Sequence, residues 1–551
     1  MANNLGHLSG RKGLENNLFE KLVQESKKEG TVKEGDIAAL AEEFLFGEAN
    51  VLGSISFYDF LKKENREKKV YVCNGTACMT SGTQGEVNKK LSSYFKEEEI
   101  GSMCCLGRCH ENSAFHFLGN NYSGDNINSL DTIISTKATS KDNYNVSHNL
   151  REPILIADIG DIKAFYASFK EKIHKSQNLL EEIKKSGIRG RGGAGFPIGI
   201  KLESLKNEVS DKKFIVCNAD EGDPGAYSDR YLLEKRPHAV LQGMLIAGLV
   251  SGAEYGVLYI RAEYPEAVAV IKKAIRSLEE AGLCGKAIAG TSFNFYFKVI
   301  EGAGAYICGE ETALLSSIEG QRPEVRVRPP FPTQQGLFNK PTAVNNVETL
   351  AFLPSILKRG GDYFAALGTP NSTGTKLMSL DSFFNNPGVY EVEMGTPLTE
   401  VVNILGGGFK EPVKALHIGG PLGGIIPVDK IDSLTVDFES FNEGGFLLGH
   451  GSIVCIPETF PMINYLEHLF HFTAEESCGK CFPCSIGSRR GMEMLQRALD
   501  RDFKIDRVLF DDLLETLESG SLCGLGGGLP LGVKNALEYF SEELSLYFTA
   551  K

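Results

Sequence analysis

The feature of this sequence that most constrains its fold is the distribution of its cysteines. Five of the thirteen lie from Cys73 to Cys109, and four lie from Cys478 to Cys523. The remaining four are scattered singly: Cys217, Cys284, Cys308 and Cys455. Thiols stay reduced in the cytosol, so disulfides are poor candidates to explain this clustering. Clustered thiolates predict metal sites, and the chain must fold so that the cysteines of each group converge.

The C-terminal cysteines form the run Cys478-Gly-Lys-Cys481-Phe-Pro-Cys484, with Cys523 farther along the chain. Three thiolates at this spacing can converge on one side of a tight turn, and a fourth from a distant loop can close the site. Ligation by four cysteines suits a [4Fe–4S] cluster. Zinc is the alternative metal, although zinc more often uses two distant C-x2-C pairs. Four free buried cysteines placed this way by chance are the remaining alternative.

The N-terminal cysteines form two pairs, Cys73-x4-Cys78 and Cys105-x3-Cys109, separated by a segment of helical length. The two loops could meet at one end of a small α/β unit and hold a [2Fe–2S] cluster. Cys104 beside Cys105 is an ambiguity, and the spacing to Cys109 favours Cys105. A zinc site or a redox dithiol is the alternative, although neither pair is C-x2-C.

Composition excludes several classes of protein. With 551 residues, 42% hydrophobic and 23% charged, the chain predicts several globular domains rather than disorder. A net charge of −13 argues against nucleic acid as the main partner. The first fourteen residues lack the apolar core of a secretory signal, and the most apolar stretch, 243–253, is too short to cross a bilayer. We therefore expect no transmembrane segment and a cytoplasmic location.

The pattern along the chain predicts five regions. Residues 1–65 show apolar residues at helical spacing, and residues 66–148 contain a strand that runs into Cys73 and end in a polar linker, Thr136 to His148. Residues 149–372 alternate helices and strands, residues 373–456 contain short glycine-rich β runs, and residues 457–551 are helical around the last cysteines.

Four glycine-rich or polar segments in the α/β region could form a nucleotide site. They are residues 190–197 (GRGGAGFP), 218–225 (NADEGDPG), 302–312 (GAGAYICGEET) and 345–349 (NNVET). Glycines let a backbone approach a ligand, and exposed N–H groups can hold phosphate. The second segment leaves the end of a strand, where α/β sheets bind ligands. Each segment alone could instead be a tight turn or a solvated acidic loop.

Together, these segments and the C-terminal cysteine pattern closely resemble the NADH-binding flavoprotein subunit of respiratory complex I. The same module occurs as the diaphorase of NAD-linked hydrogenases and formate dehydrogenases. The resemblance runs from about Pro153 to the C-terminus. Residues 1–148 resemble the thioredoxin-like [2Fe–2S] partner subunit of these enzymes, on the stretch Val51 to Tyr58 and the two cysteine pairs. The chain therefore looks like a fusion of two subunits.

The resemblance implies a multidomain α/β fold: N-terminal helices, a thioredoxin-like [2Fe–2S] domain, a Rossmann-like FMN and NADH domain, a small β-grasp domain and a helical [4Fe–4S] domain. It assigns to FMN Gly190, Arg191, Gly192, Gly193, Lys201, Asn218, Asp220, Gly309, Glu310, Asn345 and Asn346. It assigns to NAD(H) Phe196, Asp223, Glu311, Arg328 and Phe331. Because Asp223 and Glu311 should repel an extra phosphate, we expect NADH rather than NADPH.

The implied function is that of a diaphorase that oxidises NADH, or reduces NAD+, through FMN and the clusters. No protein residue is expected to act as nucleophile or general acid. The expected partners are other iron–sulfur subunits and a terminal oxidoreductase such as a hydrogenase or formate dehydrogenase. A fused input module of a complex I-type enzyme and a subunit of an electron-bifurcating complex are alternatives, and a degenerate scaffold without flavin is the alternative from another class.

Overall fold

The computed structural model describes residues 13–29, 32–140, 142–500 and 503–550. The first twelve residues of the predicted N-terminal helical segment lie outside this range. They include most of the fourteen residues in which we expect no secretory signal. The segment forms α1 (Leu18–Glu29), α2 (Glu34–Phe44) and α3 (Glu48–Ile55). Its apolar side chains form one core with strands of the later α/β region, and the Tyr58 hydroxyl donates to Ser317 Oγ at 2.8 Å. The N-terminal helices therefore pack on the nucleotide region.

The first cysteine group lies in a small α/β unit. Its elements are β1 (Val70–Cys73), α4 (Thr76–Thr80), α5 (Gln84–Leu91), β2 (Ile100–Met103), β3 (Phe115–Phe117), β4 (Asn120–Tyr122) and α6 (Leu130–Thr136). The sheet order is β2-β1-β3-β4, with β1 parallel to β2 and antiparallel to β3. Since both cysteine loops follow the carboxyl ends of the parallel strands β1 and β2, they meet at one edge of the sheet.

The polar stretch predicted as a linker contributes a strand. Strand β5 (Asn145–His148) pairs in parallel with β11 (Gly388–Glu393) of a later sheet. Asp142, just before it, forms ion pairs with the buried guanidinium groups of Arg108, at 3.2 Å, and Arg230. The segment therefore joins the cysteine unit firmly to the rest of the chain, a role that its polar composition does not reveal.

The central α/β region contains a four-stranded parallel sheet, in the order β8-β7-β6-β9. Its elements are α7 (Ile162–Phe165), α8 (Ala167–Lys172), α9 (Leu179–Lys185), α10 (Ile198–Asn207), β6 (Phe214–Ala219), α11 (Ser228–Lys235), α12 (Pro237–Ser251), β7 (Tyr255–Ile260), α13 (Pro265–Glu280), β8 (Tyr296–Glu301), α14 (Glu311–Ile318), α15 (Pro332–Gln335), β9 (Thr342–Asn346), α16 (Val347–Ala351), α17 (Leu353–Arg359) and α18 (Gly361–Ala365). The central strands are buried apolar runs, as expected when both faces of a parallel sheet are covered.

A six-stranded mixed sheet follows, in the order β13-β12-β14-β10-β11-β5. Its further elements are β10 (Thr375–Leu380), β12 (Val413–Ile418), β13 (Gly424–Pro427), α19 (Phe438–Glu443) and β14 (Ser452–Pro457). The last region is helical, with α20 (Met462–Glu476), α21 (Phe482–Leu499), α22 (Arg507–Gly520), α23 (Gly524–Tyr539) and α24 (Ser541–Leu544). Among the described residues, no helix combines the length and apolarity that crossing a membrane requires.

Candidate functional site: a flavin cavity beside two cysteine groups

The strand order of the parallel sheet fixes where a ligand can bind. From β6 the chain moves outward to β7 and β8, and β9 then returns to the other side of β6. Ligands bind at such a switch point, beyond the carboxyl ends of the two strands. Asn218 and Asp220 lie at the end of β6, and Asn345 and Asn346 close β9. The topology therefore brings together two segments that the sequence places more than a hundred residues apart.

A cavity of about 460 Å³ opens at this point. Of the residues assigned to FMN, those that line the cavity are Gly192, Gly193, Asn218, Asp220, Gly309, Glu310 and Asn346. Of those assigned to NAD(H), Asp223 lines it, and its carboxylate accepts a hydrogen bond from the Tyr306 hydroxyl at 2.6 Å. One cavity thus gathers side chains from all four segments that the sequence singled out.

The glycine loop forms one wall of the cavity. Gly193 has a φ of +120°, which L side chains rarely adopt. A Cβ atom on Gly192 would lie 3.0 Å from the Asn346 Cβ atom, so the loop and the end of β9 approach each other closely. Arg191 between these glycines points away: its fully buried guanidinium lies near Phe352 and Phe438 and donates to the Thr373 carbonyl at 2.6 Å.

The cavity residues offer polar atoms without partners among the described residues. They include Asp220 Oδ2 and Asp229 Oδ1, and beside them the amide nitrogen of Asn345. Burial raises the pKa of Asp220 well above its ordinary value. Buried polar atoms are normally hydrogen-bonded, and unpaired ones facing a cavity indicate a ligand. A flavin nucleotide, with ring heteroatoms, hydroxyls and a phosphate, fits this set of donors, acceptors and glycines.

The remaining assigned residues lie outside the lining of the cavity. Lys201 Nζ donates to the Val344 carbonyl at 2.8 Å and lies 3.7 Å from a Glu311 oxygen. Arg328 pairs with Glu311 at 2.7 Å. Phe196 and Phe331 are 50% and 53% exposed. The role of Lys201 toward FMN, and that of the other four residues toward NAD(H), stay predictions.

The C-terminal cysteines converge as their spacing predicts. Cys478 and Cys484 are buried in one apolar cluster, and Cys481 and Cys523 pack against it half-buried. Cys481 precedes α21 and Cys523 precedes α23, so the ends of two helices bring the distant fourth thiol to the other three. Four thiols from these two loops fit a cubane cluster.

The N-terminal cysteines also come together. The Cys105 and Cys109 sulfurs are 3.4 Å apart, and the Cys73 sulfur lies 3.5 Å from the Cβ position of Gly75, beside Cys105. Cys78 belongs to the same buried cluster as Cys73. The Cys104 sulfur lies at the same 3.5 Å from the Gly75 Cβ position, but Cys104 is half-buried and also packs against the cluster that contains the C-terminal cysteines. The short distance between the Cys105 and Cys109 sulfurs favours Cys105 as the ligand, and that assignment stays a prediction.

The cavity adjoins both cysteine groups. Gly225, in the loop after β6, donates its N–H to the Cys109 sulfur at 3.2 Å. On the other side, Gly524 and Leu525, directly after Cys523, line the cavity. The loop that holds Asp220 therefore leads to one cysteine group, and the start of α23 leads to the other.

Sequence reasoning missed several residues of the cavity, among them Glu221, Asp229, Tyr306, Leu422 and His450. Glu221 lies within the acidic segment 218–225, which the sequence analysis singled out, so the sequence did carry a signal for this residue. Asp229 and His450 carry no local signal, because only the packing of α11 and of the turn before β14 brings them to the cavity.

Three known families match the sequence. Residues 183–355 match the Nuo51 FMN-binding domain. Residues 464–547 match the NADH-ubiquinone oxidoreductase-F iron-sulfur binding region, and residues 8–137 match the thioredoxin-like [2Fe–2S] ferredoxin family. These matches confirm the expected FMN, NAD(H), [2Fe–2S] and [4Fe–4S] cofactors and the multidomain α/β fold class.

Similar proteins cover most of the chain. NADP-reducing hydrogenase subunit HndC of Solidesulfovibrio fructosivorans is 40% identical over 73% of this chain and 82% of its own length. An NADH-quinone oxidoreductase subunit of Rhizobium meliloti is 39% identical over 66% of this chain and 87% of its own length. A solved NAD+-reducing [NiFe]-hydrogenase in the H2-reduced state matches with a TM-score of 0.85 at 25% identity, over 97% of this chain and 94% of that chain.

These likenesses confirm the predicted kind of enzyme, an NADH dehydrogenase or diaphorase-type oxidoreductase. The chain therefore belongs to the family of flavoprotein subunits shared by NADH-quinone oxidoreductases and by NAD- and NADP-reducing hydrogenases.

Proposed function

We propose that this chain is the diaphorase module of a hydrogenase or a similar oxidoreductase complex, in which NADH and FMN exchange electrons with a partner through iron–sulfur clusters. The observation that carries the proposal is the single cavity that adjoins both cysteine groups. Bound FMN would supply the chemistry, because a flavin exchanges a hydride with a nicotinamide and single electrons with a cluster. The protein supplies the position and charge of the groups around it.

The polar residues of the cavity would hold the flavin. Asp220, with an unpartnered carboxylate oxygen, and the amides at the end of β9 are suited to the ring and ribitol. Backbone N–H groups of the glycine loop are suited to the phosphate. Glu310 is less available, since one of its oxygens caps α14 by accepting from Thr312 and Ala313 at 2.8 and 2.9 Å.

The charge of the cavity supports NADH over NADPH. The carboxylates that line it are Asp220, Glu221, Asp223, Asp229 and Glu310. An extra phosphate is disfavoured by like-charge repulsion from those of these groups that are ionised, and burial lessens that charge by raising the pKa of Asp220, Glu221 and Asp223. Glu311 adds a further carboxylate nearby, although Arg328 pairs with it.

The whole-chain structural likeness supports a hydrogenase diaphorase. The solved hydrogenase chain matches over 97% of this chain, which includes the thioredoxin-like region. Sequence coverage does not separate the two classes, since a hydrogenase subunit and the R. meliloti protein match 67% and 66% of this chain. A cytoplasmic location and a hydrogenase or formate dehydrogenase as terminal partner are parts of this proposal.

The proposed function predicts a yellow-brown protein that NADH reduces. Purified without oxygen, it should contain FMN, iron and acid-labile sulfide, and it should pass electrons from NADH to viologen or ferricyanide faster than from NADPH. Co-purifying subunits would identify the terminal reaction. Colourless protein that contains zinc and does not react with NADH would contradict the proposal and support the scaffold alternative.

An exposed apolar surface beside the C-terminal cysteines supports docking of a partner. Phe482, Ile486 and Leu522 are 77%, 54% and 41% exposed. The first of these follows Cys481, and the last precedes Cys523. Pro483 lies 2.8 Å from the Cβ position of Gly520, so the start of α21 meets the end of α22 and brings these side chains together. Exposed apolar patches commonly mark protein interfaces. We propose an iron–sulfur subunit as the occupant.

The substitution Phe482→Ser should weaken partner binding without affecting the flavin. Loss of a central aromatic contact commonly costs about 2 kcal/mol of binding free energy, which corresponds to roughly thirtyfold in Kd. Pull-down of the co-expressed complex and NADH-dependent ferricyanide reduction would be measured together. Val209→Ser is the matched control, because Val209 is fully exposed in the α/β region. Equal complex yield for both variants would rule out this surface.

A further inference from the structure

His450 is the only basic side chain among the described residues that line the flavin cavity. It lies in the turn before β14, directly after Gly449, which has a φ of +54°. Its side chain is buried, since only 6% of the residue is exposed. Five carboxylates line the same cavity. The one imidazole is thus placed among the acidic side chains of the cavity.

The imidazole lies between two of these carboxylates. His450 Nε2 is 3.4 Å from Asp229 Oδ2 and 3.6 Å from Glu221 Oε1. The other ring nitrogen, Nδ1, has no hydrogen-bond partner among the described residues. One nitrogen therefore faces the carboxylates, and the second is left for a group in the cavity or a water molecule.

Both carboxylates also accept hydrogen bonds from other elements. Glu221 accepts hydrogen bonds from the backbone N–H groups of Asp229 and Arg230, at 2.9 and 3.0 Å, and from the Tyr264 hydroxyl at 3.0 Å. Asp229 Oδ2 accepts from the Asn346 amide at 2.6 Å. A change at His450 would therefore reach Asn346, one of the residues assigned to FMN.

The surrounding charges favour an imidazolium. Burial acts to lower the pKa of His450, but Asp229 and Glu221 outweigh it and raise the pKa to about 9. Lys376 of β10 opposes this rise, although it is paired with Glu348. Burial and Asp229 raise the pKa of Glu221 to about 8, partly offset by His450. Asp223 lines the same cavity, and burial raises the pKa of its carboxyl group while the charge of His450 acts against that rise.

We propose that His450 is a positioning residue of the flavin site, whose imidazolium holds Glu221 and Asp229 in place and makes the reduction potential of the bound flavin depend on its own protonation. The inference rests on the proposed FMN site. Reduction adds electrons to a cavity that is already rich in carboxylates, and a buried cation opposes the resulting repulsion. Since the three groups interact closely, they titrate together rather than singly.

The sign of the pH effect follows from the proton on His450. Below pH 8 the imidazolium is present, and it raises the potential of the flavin. As the pH rises through about 9 the cation is lost, so the potential should fall more steeply with pH in this range than below it. When reduction of the flavin makes His450, Glu221 and Asp229 bind protons more tightly, the protein takes up protons together with the electrons.

The test is a redox titration of the flavin in the purified complex between pH 6.5 and 10. Wild-type protein should show the steeper fall from about pH 9 upward. The variant His450→Gln should have a more negative potential at pH 7 and should lose the change of slope. His450→Lys, which keeps a cation, should restore the potential at pH 7. His238→Gln is the control, because His238 is another buried histidine that does not line the cavity.

The outcomes separate this inference from the proposed function. Wild-type protein that binds no FMN would contradict the proposed function itself. Wild-type flavin whose potential changes with one constant slope from pH 6.5 to 10 would contradict the role of His450, whatever the variants do. That role is equally contradicted if His450→Gln binds FMN normally and its titration matches those of wild type and His238→Gln.

Discussion

Replacing Cys481 by serine is expected to remove the [4Fe–4S] cluster and to stop electron transfer between the flavin and the partner subunit. Iron content should fall by about four atoms per chain, because a serine hydroxyl replaces one of the four thiolates that hold the cubane cluster and is a weaker ligand for its iron. FMN content and direct reduction of ferricyanide by NADH should persist, since Cys481 does not line the flavin cavity. The residue is half-buried at the start of α21, so a serine of similar size should leave the helices in place.

A matched control distinguishes loss of a ligand from loss of any cysteine. Cys284 is a buried thiol outside both cysteine groups, and burial raises its pKa to about 12. Cys284→Ser should keep its iron, its electron paramagnetic resonance spectrum and its electron transfer to the partner. If Cys481→Ser retained the spectrum of the reduced [4Fe–4S] cluster, the proposed ligand set would be wrong.

The cysteine groups were predictable because their spacing is local. Three of the four C-terminal cysteines lie in one turn, and each N-terminal pair lies in one loop. The structure favours one answer to a question that spacing alone left open, since the Cys105 and Cys109 sulfurs are 3.4 Å apart, whereas Cys104 is half-buried and packs against both cysteine groups. Identity of the ligand depends here on which way a side chain points, and adjacent residues point in different directions.

The flavin cavity was only partly predictable from the sequence. Its glycine and acidic segments are recognisable as turn-forming segments at strand ends. Asp229 and His450 are not, because one comes from the first turn of α11 and the other from the turn before β14. Their meeting depends on how two sheets pack, which no local pattern encodes. The buried pair of Lys376 and Glu348 was missed for the same reason.

A second limit is that a recognised motif does not reveal which way its side chains point. The glycine loop was predicted as a phosphate cradle, and Arg191 was assigned to FMN with its neighbours. The structure turns that side chain into the core, against two phenylalanine rings, and its backbone N–H donates to Thr349 Oγ1 at 2.8 Å, so Arg191 does not line the flavin cavity. A run of glycines predicts that the backbone approaches a ligand, but it does not predict which face of the loop a lone side chain occupies.

The substitution Gly193→Val is expected to abolish most FMN binding while both clusters remain. Gly193 has a φ of +120° and lines the cavity. A β-branched residue held there costs roughly 1–3 kcal/mol of strain, which corresponds to about 5- to 150-fold in FMN affinity if the loop relaxes when FMN leaves. The nearest atom to its Cβ position is 3.9 Å away, so the substitution should not disrupt the fold through a clash.

Gly190→Ala in the same loop is the matched control. Its φ lies outside the left-handed region, and its Cβ would meet the Phe196 carbonyl at 3.4 Å, an ordinary contact. FMN dissociation constants, measured by fluorescence quenching on protein stripped of flavin, should therefore change little for Gly190→Ala and greatly for Gly193→Val. Iron content serves as the readout of folding, because both cysteine groups form only in the folded chain. Equal FMN affinities for the two variants would mean that the loop does not contact the flavin through Gly193, and the flavin would then depend on the strand-end residues alone.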